Sequence, residues 1–346
     1  MKSLKSFSSS YFGAQGRFWQ HIKPLIRQDT PRYFDYTMGG FSNPLKAFDE
    51  LGKEIIVNDM CQYVVLGAKS LLEYPLDTNL NLLHSQILNI KRHHGILSQL
   101  GDARISKGIE EGKNICLYAP FTTEQREFID GVCLEFQNNP RMLFAVGKVL
   151  INFTFRGVSW CNKTAQNKKS SEYTIKELTD TIYHWYVKLN EFRDLVIMKG
   201  LNLSHRVLSC DAQKLSQEYP ALHENATLYA DPAWPWKVKY DLPNPYFFVA
   251  RDLSSILLQK QQDIGQLRWD TMTNDEIADE ASTWVLNALN AGGKRFILNT
   301  QSTNRPEVSL LEQYIQQKNI NVVNKIVQTF SGTHNSFDET WLVCEK

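Results

Sequence analysis

The tetrapeptide Asp231-Pro232-Ala233-Trp234 holds the residue types that bear most directly on chemistry. It follows Thr227-Leu228-Tyr229-Ala230, an apolar run that predicts a buried strand. Proline cannot extend a hydrogen-bonded ladder, so the chain must turn there, setting a carboxylate, backbone carbonyls and a flat ring at the carboxyl edge of a sheet. Open α/β sheets bind ligands at that edge. Such a group suits a planar amine such as a nucleobase, with the ring stacking on it and the oxygens accepting from its NH2 group. A strand-ending turn with a packed tryptophan is the alternative.

Other acids end strands in the same way. Residues 31–59 predict strand, glycine turn, helix and strand: Tyr33-Phe34-Asp35-Tyr36, Met38-Gly39-Gly40-Phe41, a helix through Phe48, then Glu54-Ile55-Ile56-Val57. Gly39 and Gly40 lack the side chains that would block a ligand's approach, although the dinucleotide pattern G-x-G-x-x-G is absent and a plain turn also fits. Asp59 stands where doubly wound folds place an acceptor for ribose hydroxyls, and helix N-capping is its other available role. Asp211 closes the strand Arg206 to Cys210, so three carboxylates fall at three strand ends.

The elements that must position these groups are readable in outline. From about residue 62 to 200 the periodicity is helical, with a basic, loop-like stretch from Lys163 to Ser171. Strand-like runs return at 206–209, 227–230, 295–298, 322–330 and 340–343, interleaved with helical stretches such as 276–291. The expected fold is a Rossmann-like α/β domain (1–61 and 201–346) with a mostly parallel twisted sheet and a C-terminal antiparallel hairpin, interrupted by a largely helical insert (62–200).

Composition narrows the partners. Lys plus Arg number 38 against 37 Asp plus Glu, so a polyanion must be met by a local patch and not by bulk charge. Candidates within the insert are Lys91 to His94, Arg141, Lys148, Arg156, Lys163, Lys168 and Lys169. The six cysteines are scattered without C-x-x-C or zinc spacing, which predicts a reduced compartment and no metal. No stretch approaches eighteen apolar residues and the N-terminus lacks a signal-peptide core, so a soluble, cytoplasmic protein is expected.

Taken in order, these segments resemble the Dam-like DNA adenine-N6 methyltransferases, which use S-adenosylmethionine. Tyr11-Phe12-Gly13-Ala14-Gln15-Gly16-Arg17 looks like that family's opening motif, which helps hold the methionine part of the cofactor. Asp35 through Phe41, with Gly39 and Gly40, resembles its cofactor loop; Val57-Asn58-Asp59 its ribose-binding strand end; and Leu208-Ser209-Cys210-Asp211 the strand along the cofactor's adenine. Ile151 to Gly157, which contains Arg156, is similar to a segment that approaches DNA, and Asp231 to Trp234 to the catalytic D-P-P-Y. Thr273 to Glu276 and Phe337 to Trp341 resemble the late helix start and last strand.

The resemblance implies an enzyme of a modification, restriction-modification or phage-associated system. Asp231 and the Pro232 carbonyl would accept from the NH2 of a flipped adenine, Trp234 would stack on it, and the insert would recognise duplex DNA. Three positions depart from the pattern: Ala233 replaces the second proline, Gln15 a common lysine and Phe41 a glycine. They leave two alternatives: a weak or inactive methyltransferase-like module that binds DNA or a partner subunit, and a methyltransferase for RNA adenine or another planar amine.

Overall fold

The computed structural model describes residues 18–100, 121–155, 173–200, 203–232, 234–235, 253–262, 268–331 and 336–346. Two compact units emerge, one of residues 1–60, 200–244 and 264–346, the other of residues 61–199 and 245–263. No helix among the described residues is long and apolar enough to cross a membrane.

The first unit is mixed α/β, built on a seven-stranded sheet. Its strands are β1 (Arg32–Asp35), β2 (Glu54–Asn58), β3 (Arg206–Leu208), β4 (Ala226–Ala230), β5 (Arg295–Gln301), β6 (Asn321–Ser331) and β7 (Ser336–Glu345), in the spatial order β3-β2-β1-β4-β5-β7-β6. Strands β1 to β5 pair in parallel, and β7 runs antiparallel between β5 and β6. The last strand starts earlier than the run 340–343 predicts, because the ladder continues through polar pairs such as Gln328 with Glu339 and Thr329 with Asp338.

The central strands are largely apolar and buried, as in parallel sheets covered on both faces. All of β4 is buried, as are β1 and β2 beyond their first residues. On one face Phe34, Leu228, Phe296 and Leu342 pack with Ile277, Trp284, Leu311 and Ile315 from the helices Asn274–Asn290 and Val308–Gln317. The first of these helices begins at a capping box in which Thr273 and Glu276 satisfy each other's backbone N–H groups, an arrangement that contributes about 1 kcal/mol. Tyr36 follows β1, and its hydroxyl bonds Nε2 of the buried His223. Since Nδ1 faces the Tyr219 carbonyl, which only accepts, Nδ1 carries the proton and Tyr36 donates to Nε2.

Among the described residues the second unit is helical: Gln62–Leu72, Leu83–Leu88, Thr123–Glu135, Pro140–Phe155, Ile175–Lys199 and Ser254–Leu258. The last helix lies in a segment that the sequence pattern placed in the α/β domain. Its contacts explain the difference: Ser254 Oγ accepts from Tyr63 N at 3.3 Å, while Ile256 and Leu257 are buried.

Two of the cations expected to meet phosphate are instead interior. Arg141 is 0% exposed and Lys148 1%. Arg141 donates to the carbonyls of Ser70 (3.3 Å) and Pro75 (2.9 Å) and to Asn190 Oδ1 (2.7 Å), while Arg193 donates to the Leu71 and Tyr74 carbonyls, both at 3.0 Å. These bonds satisfy carbonyls at the end of the helix Gln62–Leu72, where intrahelical donors run out. Lys148 Nζ sits 4.5 Å from the centre of the Trp185 ring. Arg92 and His94 face the carboxylates of Glu124 and Glu127.

The fully buried Asp130 carboxylate gathers the segment around residues 95–98, accepting from Gly95 N (3.1 Å), Leu97 N (2.9 Å), Ser98 N (2.9 Å), Ser98 Oγ (2.7 Å) and Gln259 Nε2 (2.8 Å). Asp130→Ala strands these donors without water and is expected to lower unfolding stability by about 3 kcal/mol. Urea denaturation checks this, and a loss below about 1 kcal/mol would contradict the role given to Asp130.

Candidate functional site at the carboxyl edge of the sheet

From β1 the chain moves outward to β2 and β3, then returns to β4 on the other side of β1. Connections diverge at this reversal, the position where open α/β sheets bind their ligands past the carboxyl ends of the strands. Each of the four strands meeting there carries an acid at its exit: Asp35 in β1, Asp59 after β2, Asp211 after β3 and Asp231 after β4.

Asn58, 1% exposed, ties three of these exits together. Its Nδ2 donates to the Tyr36 and Cys210 carbonyls, both at 3.0 Å, and its Oδ1 accepts from Cys210 N at 3.0 Å. An ionised carboxylate accepts only and an apolar side chain does neither, so the site needs an amide. The next residue, Asp59, accepts from Gly39 N at 3.0 Å. The N-cap residue of the following helix is Cys61.

The glycine turn closes on itself, with Met38 N donating to the Asn58 carbonyl (3.0 Å) and Phe41 N to the Met38 carbonyl (2.9 Å). Gly39 (φ 47°) and Phe41 (φ 60°) are both left-handed. For a side chain bearing Cβ this costs about 1 kcal/mol, which burial of the phenyl ring offsets. Phe41 thus holds a glycine-type backbone while placing its ring in the interior, 1% exposed.

Thr37 joins the exits of β1 and β4. Its hydroxyl accepts from Asp231 N at 2.7 Å, and its own N–H donates to Asp35 Oδ1 at 3.2 Å. Asp35 is 1% exposed, and burial, aided by the neighbouring charge of Asp59, pushes its carboxyl up to about 8. At neutral pH it is therefore mostly uncharged and enclosed within the sheet. Gly39, Asp59, Asp231 and Pro232 are partly exposed, Gly40 is buried, and Asp211 is exposed, with its Oδ1 accepting from Gln213 N at 3.0 Å.

In the tetrapeptide the Pro232 carbonyl accepts from Trp234 N at 2.8 Å. Trp234 is 4% exposed, its ring stacks on Trp269 (centroids 4.9 Å apart, planes 24° apart), and its Nε1 donates to the Asn299 carbonyl at 2.7 Å. Asn299 Nδ2 in turn donates to Asp231 Oδ1 at 3.1 Å. In this conformation the tryptophan is packed, as in the alternative reading of the turn, and presents no open face to a base.

Thr37, Asn58, Trp269 and Asn299 were not among the expected site residues. Asn58 and Asn299 carry a usable signal: each ends an apolar strand run, where a buried amide must find partners. Nothing local in the sequence marks Trp269. Tyr11, Gly13, Gln15, Arg17, Arg156, Lys163, Lys168, Lys169 and Ala233 lie outside the described residues. Among the described residues no group of three or more His, Cys, Asp and Glu side chains is placed to hold a metal.

Asp35 makes stability depend on pH. Between its unfolded value near 3.8 and its folded value of about 8, the unfolded chain gives up a proton that the folded chain keeps. Rising pH across that window therefore destabilises the fold, by about 1.4 kcal/mol per unit. Asp35→Asn removes this penalty, so its melting temperature should exceed that of the unaltered protein most at pH 8 and above and least near pH 4. A difference that stays constant with pH would contradict the assignment. The chain matches no protein-family model, and no curated protein matches it in sequence.

Proposed function

We propose that the chain is an S-adenosylmethionine-dependent methyltransferase acting on the N6 amine of adenine in DNA, within a modification, restriction-modification or phage-associated system. One observation carries this reading: the acids at the ends of β1, β2, β3 and β4 share one sheet edge at the strand-order reversal, in the motif order that the family resemblance implies. The mostly parallel sheet with its antiparallel terminal hairpin also suits a Rossmann-like methyltransferase fold.

The exposed or partly exposed carboxylates of Asp211 and Asp59 fit the amine and hydroxyl groups of an adenosine, and the glycine turn allows a close approach at Gly39. The bound cofactor supplies an electrophilic methyl on a sulfonium. Everything else falls to positioning by the chain. An exocyclic amine is a poor nucleophile because its lone pair is delocalised into the ring. Acceptors at Asp231 and the Pro232 carbonyl would fix its N–H bonds and turn the lone pair outward, stabilising positive charge on nitrogen as the methyl leaves sulfur, after which one N6 proton would be released to water. The uncharged Asp35 keeps a further negative charge out of the interior near them.

The burial of Trp234 against Trp269 favours a second reading, a methyltransferase-like module that binds DNA or a partner without transferring methyl. For catalysis the base must take Trp269's place on that ring. Incubation with methyl-labelled cofactor and unmodified bacterial DNA separates the two readings. Label should enter DNA and fall by about 100-fold in Asp231→Ala. No label at saturating cofactor, with DNA still bound, would refute the enzymatic reading and leave the binding module. Label entering RNA but not DNA would move the substrate.

A further inference from the structure

Asn299 holds the tetrapeptide at both of its functional ends. It lies in β5 one residue past the pairing of Leu298 with Ala230, which brings it beside Asp231. Its backbone carbonyl accepts from the Trp234 indole and its side-chain amide donates to the Asp231 carboxylate. The side chain is 0% exposed and belongs to a strand paired on both sides, so it is anchored more firmly than the turn it grips.

We infer that Asn299 is a positioning residue for methyl transfer: it orients the Asp231 carboxylate and fixes the plane of the Trp234 ring. The inference rests on the methyltransferase reading. A neutral donor is the appropriate group, because it fixes one carboxylate oxygen without cancelling the charge that the target amine needs. A lysine or arginine would pair with that charge. A carboxyl would compete with Asp231 for a proton, since two carboxylates at hydrogen-bond distance cannot both ionise readily.

Two measurements test this. In Asn299→Asp, which preserves shape, methyl transfer should be highest at acid pH, where one shared proton replaces the amide's donor, though below that of the unaltered protein. It should then fall about 100-fold as pH rises and that proton leaves. The other ionisable groups bearing on this region, Asp35 from β1, Asp59 after β2, Tyr229 from β4 and Glu339 from β7, are present in the parent and in Asn299→Ala as well, so an alkaline limb seen in Asn299→Asp alone depends on the added carboxyl. Independently of activity, urea unfolding of Asn299→Ala, Asp231→Ala and the double variant should show effects that fall short of additivity by about fivefold in the unfolding constant. A pH profile in Asn299→Asp indistinguishable from that of an active parent, or strictly additive unfolding effects, would overturn the inference. A parent that transfers no methyl refutes the methyltransferase reading instead, and the unfolding cycle then decides alone whether Asn299 grips Asp231.

Discussion

The planar amide of Asn58 is the interaction on which the carboxyl edge depends. Parallel strands that end together leave carbonyls and N–H groups beyond the last ladder bond, and where these are buried each must be satisfied. Asn58 satisfies three such groups at once, on the exits of β1 and β3, from its own place at the end of β2. The glycine turn is then closed by the Asn58 carbonyl and by the Asp59 carboxylate beside it. On the proposed reading, an edge organised in this way reduces the ordering cost of binding.

A second, smaller network does the same on the other side of β1. Thr37 joins the exits of β1 and β4, and Asn299 joins β4 to β5, so the acid of the tetrapeptide is held from both flanks. The electrostatics follow from depth. Asp35, enclosed in the sheet, keeps its proton at neutral pH, while Asp59, Asp211 and Asp231 have access to solvent. Phe41 adopts a left-handed conformation suited to glycine, and burial of its ring compensates for the cost.

The parts of this arrangement legible in the sequence were those set by period and punctuation. Apolar runs marked every strand, and acids or glycines at their ends marked the edge, because a sheet buried on both faces leaves polar residues little room except at its exits. Side-chain destinations were not legible. Arg141 and Lys148 read as surface cations, yet one serves a helix terminus and the other an aromatic ring, and both needs arise only from tertiary packing. The contact of Trp234 with Trp269 joins residues far apart in the chain, so no local pattern announces it. Asn58 and Asn299 fall between these cases: their burial was implied by the apolar runs they close, but their partners were not.

On the methyltransferase reading, this edge is a cofactor site in which Asp59 serves as an acceptor. Isothermal titration calorimetry with S-adenosylhomocysteine tests it without requiring catalysis. Saturable binding to the unaltered protein is expected, weakened about tenfold or more in Asp59→Ala through loss of a charged acceptor. No detectable binding to the unaltered protein, or equal affinity in Asp59→Ala, would contradict it.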